Sequence, residues 1–256
     1  MNYKVTYASD VGIKKQVNQD SLCIKKAITG DGEILLAVLC DGMGGLSDGE
    51  LASATVVNNF ADWFMQNLPI HLRNQAVDSI SEDIRKHIVQ WNRMIWEYGL
   101  EHHVQLGTTL TAILILEDGA YIIAHVGDTR IYQVTQGEIF QITEDHSFVA
   151  REVKRGNMTK EEAIMDPRRN VLLQCIGAQQ QVEPDIFEGR IQLRDTFLLC
   201  SDGLRHKMTD LEILDYISGI KQEDESAYLQ VLQNMIAVNK ERGETDNISA
   251  ILIRAC

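Results

Sequence analysis

The chain has 256 residues, a formal net charge of −13 at pH 7, 45% hydrophobic residues, three prolines and five cysteines. So acidic a balance excludes a surface built to hold nucleic acid or an anionic membrane, because phosphate backbones call for clustered Lys and Arg. The N-terminus lacks the apolar stretch of a signal peptide, no run approaches a membrane span, and the odd cysteines sit in apolar runs, so we expect a soluble, cytoplasmic, monomeric protein without a disulfide framework.

In chain order, Val5 to Ser9 reads as a first strand, followed by a polar loop carrying Lys14 and Lys15. A short second strand is expected near Ser21 to Ile24, with Gly30-Asp-Gly32 as a hairpin turn into Ile34 to Cys40. Ser47-x-x-Glu50 has capping-box spacing and predicts a helix from about Asp48 to Asn67. A second helix is expected from about Asn74 to Tyr98, with Val77, Ile80, Ile84, Ile88, Trp91 and Ile95 on one packing stripe. Strands follow at Gly107 to Leu116, Ala120 to Val126, Arg130 to Val134 and Ile139 to Ile142. The stretch from Thr143 to Ile176 is charged and holds one short helix around Gly156 to Ala163, so it reads as a surface flap. After it come strands near Val182 to Gly189 and Thr196 to Cys200, a helix opening at the capping box Thr209-x-x-Glu212, another over Ser226 to Val238, and a closing strand from Ile248 to Ile253. Clumps of strands joined by tight turns, with helices between, predict an α+β fold of antiparallel sheets covered by helices. With no linker, low-complexity tract or solenoid repeat, residues 1–256 read as one domain.

One pattern recurs along this order. The run Ile34-Leu-Leu-Ala-Val-Leu-Cys40 is apolar at every position, as in a strand buried on both faces, and it stops at Asp41-Gly-Met-Gly-Gly45. Tyr121 to Val126 ends at Gly127-Asp128, Thr196 to Cys200 ends at Ser201-Asp202-Gly203, and Asp246 stands just before the last strand. Carboxylates gathered at one end of a sheet repel one another unless protonated or bridged by cations, so they form a candidate site for hard divalent metals. No Cys-x-x-Cys or His-Glu-x-x-His is present, which argues against zinc.

Asn18-Gln-Asp20, Asp41-Gly-Met-Gly-Gly45, Gly107-Thr-Thr109, Gly127-Asp-Thr-Arg130, Asp145-His146, Ser201-Asp-Gly-Leu204 and Asp246-Asn247, in this order, resemble the metal-dependent protein Ser/Thr phosphatases of the type 2C family. The resemblance runs from about residue 9 to the last strand. It implies two packed antiparallel sheets flanked by helix pairs, an α-β-β-α sandwich. It implies hydrolysis of phosphoserine or phosphothreonine on proteins, opposing a Ser/Thr kinase in signalling, by a water bridging two Mn²⁺ or Mg²⁺ ions. By the same resemblance Asp41 bridges the two metals, Asp202 and Asp246 complete one site, and the Gly42 carbonyl with water-linked Asp20 serves the other. Asp128, with Asp202, matches the place where bacterial relatives hold a third ion, Asn247 orients Asp246, and Gly107-Thr-Thr109 is structural.

Two departures stand out. Lys15 occupies the position where the family usually carries an Arg that grips the substrate phosphate, keeping the charge but losing the bidentate fork. Met43 stands where many eukaryotic relatives have a His; bacterial relatives commonly have Met, so the chain reads as bacterial-type. His125, inside a strand, reads as a core histidine; His146 is a weaker candidate for the cleft; Arg205-His-Lys207 reads as a solvated basic patch on a loop, with contact to the substrate phosphate as a minor alternative. Two other function classes are weighed beside the active phosphatase. A phosphoacceptor domain is disfavoured by length and by the wide spread of the aspartates, and a catalytically silent relative that only binds phosphoproteins is kept open by Lys15.

Overall fold

The computed structural model describes residues 1–43, 48–74, 79–220 and 224–256. Among the described residues, ten strands form two five-stranded sheets, antiparallel throughout. The first contains, in spatial order, β1 (Tyr3–Asp10), β10 (Ile248–Ala255), β9 (Thr196–Cys200), β6 (Arg130–Thr135) and β7 (Glu138–Gln141). The second contains β2 (Asp20–Ile28), β3 (Glu33–Asp41), β4 (Leu110–Ile115), β5 (Ala120–Val126) and β8 (Asp185–Arg190).

The unbroken apolar run of β3 is explained by what lies on its two faces. Leu35, Ala37 and Leu39 point between the sheets, where they meet Ile113, Ile123, Phe197, Leu199, Ile251 and Ile253. Ile34, Leu36, Val38 and Cys40 point outward into a second core, under α1 (Gly49–Gln66) and α3 (Ile80–His102), against Phe60, Trp63, Ile84, Ile88 and Trp91. The other sheet is covered in the same way, with Leu198, Cys200, Ala250 and Leu252 packing under Ile213, Ile217, Leu232 and Met235 of α7 (Asp210–Ser218) and α8 (Glu225–Glu241). The result is the helix-sheet-sheet-helix sandwich that the family resemblance implied. Period-two alternation with both faces apolar leaves a β3 side chain no solvent-facing option. Truncating Leu39 to Ala would cost about 2–5 kcal/mol.

Several boundaries differ from the sequence reading. Asp48 is the N-cap of α1 and makes no side-chain cap bond, while Ser47, the residue expected to cap it, lies outside the described residues. Asn74, the expected start of the second helix, instead ends α2 (Leu68–Arg73), and α3 begins at Ile80; Val77 lies outside the described residues. Pro69 sits in the first turn of α2, where a missing N–H costs no helical bond. The strand expected from Gly107 begins only at Leu110, because Thr108 makes isolated bridges to Gly42 and Ile176 instead. β2 is longer than expected, and it begins on Asp20 itself.

Between β7 and β8 lie two short helices, α4 (Phe148–Lys154) and α5 (Lys160–Met165), of which only the second was expected. Ser147 caps α4 by accepting from the Ala150 N–H, and Thr159 with Glu162 forms a reciprocal capping box on α5. The capping box at Thr209 and Glu212 opens α7 as read from the sequence. All five cysteines are free thiols.

Candidate metal and phosphate site

Asp20 opens β2 and Asp41 closes β3, and the antiparallel register sets them directly opposite each other. Asp41 is held by its backbone. Its N–H donates to Thr109 Oγ1 at 2.9 Å, and its carbonyl accepts from the Thr109 N–H and the Thr108 hydroxyl, both at 2.9 Å. The pair Thr108-Thr109 is therefore the strut beneath the carboxylate, which is the structural part expected of it. Gly42 follows in a crowded turn. Its N–H donates to the Gln19 carbonyl, and a Cβ at this position would lie 2.4 Å from the Gly49 carbonyl oxygen. Only glycine lets the chain pass there.

The other two carboxylates come from the facing sheet. Asp202 opens the short helix α6 (Asp202–Arg205) just after β9, and Asp246 lies in the loop before β10, the neighbouring strand. The two loops touch at Gly203, where a Cβ would lie 2.1 Å from the Asn247 carbonyl oxygen. The Asn247 side chain takes a different part from the one expected. Its Oδ1 accepts from the Gln19 N–H, and its Nδ2 donates to the carbonyls of Val11 and Val17, so it pins the 11–19 loop. Only its backbone N–H reaches Asp246 Oδ1, at 2.9 Å. The loop so pinned carries Lys15, whose Nζ lies 2.9 Å from the same Asp246 Oδ1. Burial works against the Lys15 ammonium, but the bond to Asp246, helped by the charges of Asp41 and Asp202, raises its pKa.

These carboxylates sense one another. Burial first, and then the charge of Asp202, push Asp20 up to about 7, although the Ser249 and Ser201 hydroxyls nearby temper the shift. Asp41 is raised well above the carboxylate range by burial and by Asp20, Asp202, Asp128 and Asp246. Neither oxygen of Asp20 has a hydrogen-bond partner by geometry, and Oδ1 of Asp202 has none either. Buried, unsatisfied carboxyl oxygens whose ionised forms repel each other are what a divalent cation would relieve, and an all-oxygen donor set suits Mg²⁺ or Mn²⁺. The residues fit such ions in donor chemistry. Among the described residues, however, no three acidic, thiol or imidazole side chains are already drawn to metal-binding spacing, so ligation would require side-chain rotation.

Asp128 lies in the turn between β5 and β6, 7% exposed. Burial and the charge of Asp202 push it up to about 7, and Arg205 pulls against them. The Arg205 Nη2 donates to Asp128 Oδ2 at 3.1 Å and to its carbonyl at 3.0 Å, and lies 3.5 Å from Asp145 Oδ2. Arg130 grips Asp145 with two parallel bonds of 2.7 Å. This corrects the reading of Arg205-His-Lys207 as a solvated patch. Arg205, its side chain 13% exposed, is held in a salt-bridge network, and His206 sits 3.4 Å from Asp202 and 3.5 Å from Glu244.

The two histidines near the motifs are structural. His125 is fully buried; its Nε2–H donates to the Glu144 carbonyl and its Nδ1 accepts from the Thr111 hydroxyl. Burial, with help from His146, depresses its pKa to about 4. The His146 Nδ1 accepts from the Gly127 N–H, and its Nε2 faces Asp185 at 3.1 Å. It supports the turn that carries Asp128.

Residues 13–252 match the family model described as protein phosphatase 2C. The chain belongs to the protein phosphatase 2C family. Among its relatives, the serine/threonine phosphatase stp of Listeria welshimeri is 34% identical over 85% of this chain and 83% of its own. The crystal structure of a bacterial serine phosphatase superposes with a TM-score of 0.85 at 30% identity, covering all of this chain and 98% of that one. The catalytic domain of the protein phosphatase PstP, solved with two manganese ions, superposes at 0.79 with 27% identity, covering 98% of this chain and 97% of that one.

The sequence reading of this phosphatase offered Arg205 and His206 near the site only as a minor alternative to a solvated patch, and missed Glu244 and the carboxylate partners of all three. A signal was present. Asp202 and His206 stand at i and i+4, the spacing of an ion pair on a helix, but that reading requires the helical turn α6, which no apolar periodicity announced.

Proposed function

We propose that this phosphatase hydrolyses phosphoserine and phosphothreonine esters of proteins with two divalent ions held by Asp20, Asp41, the Gly42 carbonyl, Asp202 and Asp246. The carrying observation is the set of unsatisfied, mutually repelling carboxylate oxygens at the sandwich edge. Bound Mn²⁺ or Mg²⁺ would acidify a water for attack on phosphorus and mask charge on the phosphoryl oxygens. The protein's part is placement. Asp41 is fixed by Thr108 and Thr109, and the loop of Asp246 is closed against Gly203. Lys15, half-buried at the mouth, would give up Asp246 to the ions and turn its ammonium to the substrate phosphate. Met43 has no proton to give, so protonation of the leaving oxygen falls to solvent.

In this reading residues 1–256 act as a single catalytic domain, because β1 and β10 pair along their lengths and tie the two ends of the chain into one sheet. The segment at about 143–176 serves as a flap rooted beside Asp128 through Asp145. The enzyme works as a cytoplasmic monomer in signalling, opposing a Ser/Thr kinase, without nucleic-acid or membrane partners. The test is phosphate release from a phosphothreonine peptide with Mn²⁺, Mg²⁺ or excess EDTA. Release that needs the metal is expected; undiminished turnover in EDTA, or none with either metal, would overturn the reading.

A further inference from the structure

We propose that Arg205 is a resident cation at Asp128, so that the site takes two divalent ions where the Asp128 carboxylate would otherwise help to hold a third. The inference rests on the two-ion reading above and concerns what bounds that site on its Asp128 side.

Asp128 is a buried carboxylate within the electrostatic reach of Asp202, a placement that calls for a counter-charge. The chain supplies one from its own sequence, three residues after Asp202 on the same helical turn. A single nitrogen of Arg205 donates to both the carbonyl and the Oδ2 of Asp128, at 3.0 and 3.1 Å. The ion pairs around it interlock. Arg130 takes Asp145 with a two-pronged grip, while Arg205 takes Asp128 and touches Asp145 at 3.5 Å. Each of these two carboxylates thus has its own guanidinium, Arg205 at Asp128 and Arg130 at Asp145. A divalent ion added at Asp128 would have to compete with the Arg205 guanidinium for the same Oδ2 and would set its charge beside that of Arg205. Displacing Arg205 would break its bonds to Asp128 and strand a buried guanidinium, whose side chain is only 13% exposed. A guanidinium also cannot lose its proton to make room.

The experiment counts ions. Mn²⁺ binding to the full chain is measured by titration calorimetry and native mass spectrometry for the wild type, Arg205→Thr, Asp128→Asn and Arg205→Thr/Asp128→Asn, with circular dichroism to check folding. The expected result is two ions for the wild type, three for Arg205→Thr, and two again for the double variant. Asp128→Asn, which needs no folded Arg205 variant, should keep two ions. A wild type that binds three ions, an Arg205→Thr that folds and still binds two, or an Asp128→Asn that loses an ion would each overturn the inference while leaving the phosphatase reading intact. A wild type that binds no Mn²⁺ would instead sink the two-ion reading, and this inference with it.

Discussion

The ammonium of Lys15 lies 2.9 Å from Asp246 Oδ1, so a residue placed by the family pattern at the substrate phosphate is paired with a candidate metal ligand. Both side chains are about one-third exposed, which limits the pair to about 0.2–1 kcal/mol. Lys15→Ala should therefore tighten Mn²⁺ binding by up to about fivefold, because Asp246 no longer has to be released. The same substitution should lower kcat/KM on a phosphopeptide by roughly ten- to a hundredfold, the worth of a charge-assisted hydrogen bond. Lys15→Arg should retain or raise activity, since the fork can hold two phosphoryl oxygens. Calorimetry and steady-state kinetics on the two variants measure both effects; a Lys15→Ala enzyme with unchanged kcat/KM would end the phosphate assignment.

Asp41→Asn and Asp202→Asn should each reduce turnover by more than about a hundredfold, because they remove charge from the ions and leave the shape of the side chain. Neither should unfold the protein. In EDTA, Asp41→Asn should melt at or above the wild-type temperature, since an amide relieves the repulsion that raises the Asp41 carboxyl. Near-wild-type activity in either variant would remove that residue from the metal set.

His125 carries a prediction with a definite sign. Its pKa falls from the ordinary 6.5 to about 4 on burial in the folded chain, so between those values the unfolded state binds the extra proton. Its contribution to stability is thus whole above pH 6.5 and is lost as the pH drops toward 4, by about 3 kcal/mol in total. The ring-proton NMR signal of His125, assigned by its absence in His125→Gln, should titrate far below the others. A midpoint near 6.5 would refute the buried neutral ring.

Limited trypsin digestion should cut first between Thr143 and Ile176. Neither α4 nor α5 buries a residue, and Ile164 and Met165 are 66% and 80% exposed. The segment offers Arg151, Lys154, Arg155, Lys160, Arg168 and Arg169 as sites. N-terminal sequencing of the first fragments decides it, and an initial cut in β3 or α8 would count against the flap.

Much of this protein was legible along the chain, because its strands are written as local runs. β5 and β9 fall on the residues expected of them, and each is followed two residues later by an aspartate, Asp128 and Asp202. The alternation within β3, with one set of side chains facing the other sheet and the other set facing α1 and α3, is a period-two property that needs no knowledge of distant residues. The aspartates and the donor chemistry they imply were equally open to reading.

What the sequence could not decide are the partners that meet only after folding. Asn247 was read beside Asp246, its neighbour in sequence, but its side chain closes on Val11, Gln19 and Val17 at the other end of the chain, because β1 and β10 are paired. Arg205 and His206 look like solvated charges when read as a loop. They become half-buried ion-pair partners only because α6 packs its one turn against the turn that carries Asp128 and the loop that carries Glu244. Hydrophobic periodicity is a local signal, fixed by the geometry of one strand or one helix. The pairing of buried charges depends on which strand ends the two sheets bring together, and only the tertiary structure sets that.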